Sequence, residues 1–254
     1  MSIEQATNAT QAEQPTATKT LGILQAGRSP DTLISRYADY NQLFIDMLGT
    51  DSFQYRTWPV LDNQFPESLE DADAWLITGS KFGAYEPHDW IPPLEALIRQ
   101  IHASGAPLVG ICFGHQIIAQ ALGGKVEKFD GGWSVGRVDY TLDPSAWNMP
   151  ANKTTPLLAF HQDQVIEPPA EAVTVGSSEV CRHAALAYGS NILTIQPHPE
   201  FDAQFVADLL QARSDLLPAD VLQEATGSLS EPLARDGIAR KIREFLDRPS
   251  SSES

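Results

Sequence analysis

The sequence predicts an α/β fold with a mostly parallel central sheet and antiparallel additions. Short apolar runs alternate with segments of helical periodicity from residue 21 onward, glycine closes two of the helical segments, and the texture turns strand-like after Gly131. Alternation of the first kind is what a chain shows when helical crossovers return it to one parallel sheet. Strand-rich texture late in the chain adds antiparallel neighbours.

The elements follow in order. Leu21 to Gln25 reads as the first strand, and Ile34, Tyr37, Phe44 and Leu48 then fall near helical spacing up to a stop at Gly49. Phe53 to Val60 is the second strand. Ala74 to Thr78 is the third and runs directly into Gly79, after which Leu94, Leu97, Ile98 and Ile101 mark a helix closed by Gly105. Pro107 to Ile111 is the fourth strand, ending at Cys112, with a helix over about Gln116 to Leu122. Val135 to Leu142 and Ala172 to Val175 read as strands, and Gly189-Ser190-Asn191 as a hairpin turn. Asp202 is placed to cap a helix carrying Phe205, Val206, Leu209 and Leu210, and a last helix spans Ala234 to Leu246.

Composition narrows the function classes. The 254 residues, 42% hydrophobic, can bury one substantial core, and length alone does not require a second domain. Residues 1–19 are polar and without apolar periodicity, so they are expected to form a disordered leader, and residues 248–254 a disordered tail. No run of about eighteen apolar residues occurs and the first residues lack the pattern of a signal peptide, which points to a cytoplasmic protein. The formal net charge of -16 opposes nucleic acid and anionic membranes as partners and leaves small molecules or proteins. Cys112 and Cys181 are too few for a disulfide framework, so a free thiol is available for chemistry.

That chemistry concentrates at Gly110-Ile111-Cys112-Phe113-Gly114, where a cysteine stands between two glycines at the end of a buried strand. This is the pattern of a nucleophile elbow, with cysteine in place of serine. So sharp a turn strains the nucleophile's backbone and brings neighbouring chain close, which requires residues without Cβ at 110 and 114. The following helix would aim the positive end of its dipole at the thiol and favour a thiolate. A buried cysteine that merely closes a strand is the usual alternative, and the flanking glycines argue against it. Gln196-Pro197-His198-Pro199-Glu200 offers a base and an orienting carboxylate after the apolar run Ile192 to Ile195. Prolines on either side of His198 keep the backbone extended, so the side chains of 198 and 200 can share a face. His198 would carry the proton, and Glu200 would hold the imidazole in one tautomer.

Gly110-Ile111-Cys112-Phe113-Gly114-His115-Gln116, Gly123-Gly124, His161-Gln162-Asp163 and Gln196-Pro197-His198-Pro199-Glu200, in that order, resemble the class I glutamine amidotransferase family, in the manner of a free-standing GMP-synthase glutaminase domain. The resemblance covers about residues 21–212 and implies one such domain over residues 20–247 with a flavodoxin-like, three-layer α/β sandwich. It implies a Cys112, His198, Glu200 triad, and an oxyanion hole from the backbone of Phe113 and of the loop Thr78-Gly79-Ser80-Lys81. Many relatives carry two glycines where this chain has Gly79-Ser80. It also implies that Gln116 and the Gly131-Gly132-Trp133-Ser134-Val135-Gly136 segment, with Trp133 and Ser134, hold the glutamyl head, and that His161 and Asp163 lie near the pocket. No cofactor and no metal are expected, since no further ligands are suitably spaced. Cys181 reads as structural.

The expected reaction is hydrolysis of the γ-amide of glutamine or of a γ-glutamyl amide through a thioester. No synthetase or ATP-binding segment follows the motifs, so ammonia is expected either to reach a separate synthase subunit or to have no acceptor, as in a γ-glutamyl peptide hydrolase. A third reading is a non-catalytic or redox-sensing module, in which the low-pKa thiol of an elbow cysteine is oxidised instead of acylated. The late His-Pro-Glu argues against it.

Overall fold

The computed structural model describes residues 18–147 and 154–250. Most of the expected leader, residues 1–17, lies outside them, as do residues 251–254 of the expected tail. Lys19 is engaged: its Nζ donates to the carbonyls of Asp247 and Arg248, at 2.5 and 2.7 Å, joining the two ends of the described chain.

The strands are β1 (Thr20–Leu24), β2 (Gln54–Trp58), β3 (Ala74–Ile77), β4 (Leu108–Ile111), β5 (Lys125–Lys128), β6 (Ser134–Leu142), β7 (Thr154–His161), β8 (Asp163–Glu167), β9 (Ala172–Ser177), β10 (Ala185–Tyr188) and β11 (Ile192–Ile195). The helices are α1 (Asp31–Tyr37), α2 (Tyr40–Leu48), α3 (Ile91–Ser104), α4 (Phe113–Ala121), α5 (Pro144–Trp147), α6 (Ala203–Ala212), α7 (Ala219–Ser228) and α8 (Arg235–Leu246). One sheet runs β2-β1-β3-β4-β11-β10-β9-β6-β7, and β5 pairs with β8 apart from it. The pairings from β2 through β11 are parallel and those from β11 to β7 antiparallel. The α/β class with antiparallel additions is therefore observed.

The parallel centre is covered on both faces, which is why β3, β4 and β11 are buried along their whole length. One apolar layer joins Leu21, Ile23 and Leu76 to Phe44 of α2 and Ile242 of α8. The other joins Leu24, Trp75 and Leu108 to Leu94 and Ile98 of α3 and Ile117 of α4. Sheet and two helical layers make the three-layer sandwich.

The single helix expected between Ile34 and Leu48 is two. Ala38 turns to φ 63°, ending α1, and the Asp39 carboxylate accepts the Tyr40 amide at 2.8 Å as the cap of α2. Asp39 also accepts from the Ser29 amide and Gln25 Nε2, so the break anchors the loop after β1. The helix after the elbow begins at Phe113, because Cys112 itself occupies the cap position. Strand β5, with only Val126 buried, and helix α7, with only Ala225 buried, escaped the sequence reading because so little of either faces the core.

Candidate active site

The site forms where β3, β4 and β11 end, the edge at which open α/β sheets present their ligands. Cys112 leaves β4 with φ 52° and ψ −103°, a conformation that costs a non-glycine residue about 1–3 kcal/mol and is held only when the surroundings enforce it. The enforcement is visible. A Cβ on Gly110 would lie 2.6 Å from the Gly114 backbone, and one on Gly114 would lie 2.4 Å from the Ile77 carbonyl oxygen. Both elbow glycines are therefore needed for space, as the sequence suggested. Cys112 is 5% exposed, and that small exposure opens into a pocket.

His198 follows β11 and is fixed by its backbone amide, which donates to the Leu158 carbonyl of β7 at 2.8 Å. Its Nδ1 stands 2.6 Å from Glu200 Oε1, and a Cβ on Gly79 would lie within 4 Å of both the imidazole and Cys112 Cβ, so the thiol and the ring face the same spot. The three side chains expected from the sequence are thus brought to one place, with Glu200 bonded to His198. Burial works against charging the imidazole, but Glu200 and Cys112 together outweigh it and push its pKa up.

Several supports were not legible in the sequence. Phe201 stacks on the His198 ring, with centroids 4.1 Å apart and planes 5° from parallel. Arg235, from the start of α8, donates to the carbonyls of Pro199 and Glu200 at 3.0 and 2.9 Å and clamps the His-Pro-Glu turn from behind. Nothing in the spacing marks a residue so far along the chain as a partner of this turn.

The other expected residues divide. Gly79 packs on His198 and Cys112: a Cβ there would lie 2.9 Å from His198 Cε1 and 3.8 Å from Cys112 Cβ. Ser80 lines the pocket, and Phe113 is buried in the first turn of α4. Gln116, Trp133, His161 and Asp163 also line it. Gln116 Nε2 is committed within the protein, donating to the Asp163 carbonyl at 2.8 Å and to Gln196 Oε1 at 3.2 Å. Its amide braces the pocket wall. Ser134 is buried as the first residue of β6, beside His161 of β7 in register, and is not on the pocket lining. His161 is fully enclosed and its pKa is pushed down to about 3 by burial, so the pocket wall there is a neutral imidazole. Cys181 is buried, with burial pushing its pKa up to about 12, as fits a structural thiol.

The cavity around these groups measures about 230 Å³. Among the described residues, no group of three or more His, Cys, Asp or Glu side chains is placed to share a metal ion. No described helix is long and apolar enough to cross a membrane.

The family description "Glutamine amidotransferase class-I" matches residues 32–206. The chain belongs to this family. It is 31% identical to gamma-glutamyl peptidase 4 of Arabidopsis thaliana, with 72% of this chain and 76% of that protein covered. With gamma-glutamyl peptidase 2 of the same plant it shares 26% identity over 82% of this chain and 88% of that protein. Among solved structures, a glutamine amidotransferase from Methylobacillus flagellatus has the same fold, with a TM-score of 0.73 at 21% identity, covering 94% of this chain and 99% of that one.

Proposed function

We propose that this class I amidotransferase-family protein is a cysteine hydrolase of γ-glutamyl amides and peptides that completes its reaction without a synthetase. The observation that carries the reading is the connected constellation of Cys112, His198 and Glu200 on a strained elbow, opening into a pocket of the right scale for a glutamyl side chain. The Cys112 thiolate attacks the γ-carbonyl carbon, and the carbonyl oxygen takes negative charge. Donors from the backbone of Phe113 and of the Gly79-Ser80 loop meet that charge only as it develops, which makes such groups worth about 3–4 kcal/mol in the transition state. The C–N bond then breaks as His198 gives its proton to the departing nitrogen, leaving a γ-glutamyl thioester on Cys112. Water attacks the thioester while His198 takes its proton, and glutamate is released with the thiolate restored. Glu200 holds the imidazole throughout, and Phe201 and Arg235 hold the pair.

Trp133, Ser134, His161 and Gln116 belong in this reading to the glutamyl side, Ser134 acting from beneath the pocket wall. The peptidase reading is favoured over a dependent glutaminase subunit by the relatives named gamma-glutamyl peptidases, which cover about three quarters or more of their own length with this chain. A separate synthase subunit as ammonia acceptor is the second reading, resting on the 24% identity to a GMP synthase of Tolumonas auensis, of which the matched region spans 37%. The protein is read as cytoplasmic, consistent with two free cysteines.

The test is direct. Purified protein is incubated with glutamine, a γ-glutamyl alkylamide and a γ-glutamyl dipeptide, and both the released amine and the intact mass are followed. A glutamyl adduct on Cys112 with amine release is expected, and Cys112→Ala should lose both while Cys181→Ala keeps them. Activity that persists in Cys112→Ala would overturn the assignment, and turnover only with an added partner would favour the subunit reading.

A further inference from the structure

Beyond the catalytic pocket lies a second cavity of about 460 Å³, bounded by the loop after β1, by Lys81 and Phe82 of the loop after β3, and by Arg213 and Leu216 beyond α6. Lys81, Phe82, Arg213 and Leu216 line both cavities, so the two are continuous along that edge. None of Gln116, Trp133 or His161, the groups on the glutamyl side, lines the second one. A substrate with its glutamyl end among those residues and its γ-carbonyl at Cys112 therefore extends its leaving group across Lys81 and Arg213.

Acidic residues outnumber basic ones by 33 to 17, and Arg28 at the same cavity is paired by Asp39 and Asp62. Among the described residues Lys81 and Arg213 form no ion pair, although Arg213 is half-buried. Lys81 only rests over the Phe82 ring, 5.1 Å from its centroid. A guanidinium on a cavity wall with no protein anion is open to a carboxylate ligand. The charge of Arg213 also reaches inward. Burial raises the pKa of the Tyr40 hydroxyl on the pocket wall, and Arg213 is the largest influence acting against that rise. Asp31 and Asp215 border the second cavity too, but both are exposed at its rim.

We propose that Arg213 and Lys81 form a leaving-group subsite for a carboxylate, so that the preferred substrates are γ-glutamyl conjugates of amino acids or peptides, in preference to glutamine or neutral amides. The inference rests on the hydrolase reading above and adds the chemistry of the departing half. Arg213 meets the carboxylate with its planar fork and Lys81 supplies a second, mobile charge. Both act on binding and positioning; neither touches the atoms that react.

The test uses a pair of substrates that differ by one charge, γ-glutamylglycine and γ-glutamylglycinamide. Wild-type protein is expected to show a kcat/KM about tenfold higher for the acid, the size of one partly exposed charge-assisted hydrogen bond. In Arg213→Gln, and to a smaller extent in the exposed-site variant Lys81→Gln, the ratio should fall toward one. Added salt should lower the wild-type ratio as well. A wild-type ratio near one, or a ratio retained in both variants, overturns the subsite and leaves the hydrolase reading standing. Absence of turnover with either substrate overturns the subsite together with the reading it depends on.

Discussion

Gly79 shows how a single missing side chain can shape the candidate active site. No unusual backbone angle is involved, since Gly79 is not among the positive-φ glycines. Its constraint is space: the imidazole of His198 occupies the volume a Cβ would need, with Cε1 at 2.9 Å. The ring cannot move away, because Phe201 is stacked on it at 4.1 Å and Glu200 holds Nδ1 at 2.6 Å. Gly79→Ala is therefore expected to fold, yet to tilt the imidazole off the thiol and lower kcat by about 100-fold, the scale set by a misplacement near 1 Å. Substrate binding should change less. Steady-state kinetics checks this, and a kcat within twofold of wild type would show that the ring has room the geometry denies it. The sequence made Gly79 a candidate for the oxyanion loop, but its contact with the imidazole belongs to the folded site and has no sequence signal.

At the level of elements, the parallel core was readable because its strands are apolar on both faces and end in glycine or in the elbow. The pairs Ile23 and Leu24 on β1, Leu76 and Ile77 on β3, and Leu108 and Val109 on β4, one residue on each face, are all buried. The break between α1 and α2 was not readable, since Ile34, Tyr37, Phe44 and Leu48 satisfy helical spacing on either side of it. What decides is Asp39, a polar residue that serves as cap and loop anchor together. Cys112, His198 and Glu200 carry local motifs, whereas Arg235 and Arg213 come to the site from distant elements with no motif of their own. Helix α6 connects the two cases. Asp202 accepts the Phe205 amide at 2.7 Å at its start, as the sequence indicated, and its far end delivers Leu209 and Arg213 to the pocket. Asp202→Ala should cost about 1 kcal/mol, the usual worth of such a cap. Urea unfolding at neutral pH measures it, and a loss below about 0.3 kcal/mol would mean the helix start is held by packing of Phe205 and Val206 instead.

Across the whole molecule, the buried histidines tie stability to pH in a direction that can be worked out. His115 is enclosed by α4 and the sheet, with Nδ1 2.8 Å from the Thr194 hydroxyl, and burial pushes its pKa down to about 3. His161 is pushed to about 3 by burial as well. An unfolded chain returns both to about 6.5, so between pH 6.5 and 3 the unfolded state binds protons that the folded state refuses. Their contribution is complete above pH 6.5 and is lost as pH falls through that window. His198 runs the other way: its raised pKa makes its contribution complete only below 6.5 and lost at higher pH, so between pH 7 and 5 it gives back part of the acid loss. Each of the two depressed histidines should therefore remove roughly 1–2 kcal/mol of unfolding free energy between pH 7 and pH 5. His115 is the one to vary, because it stands outside the pocket lining and keeps the comparison free of substrate contacts. His115→Gln can preserve a hydrogen bond to Thr194 without a titrating group. Urea unfolding of wild type and variant at pH 7, 6 and 5 should give a shallower pH slope in His115→Gln, even if its stability at pH 7 is lower. Equal slopes in the two proteins would show that His115 takes up a proton in the folded state as readily as in the unfolded one, and that its burial does not keep it neutral.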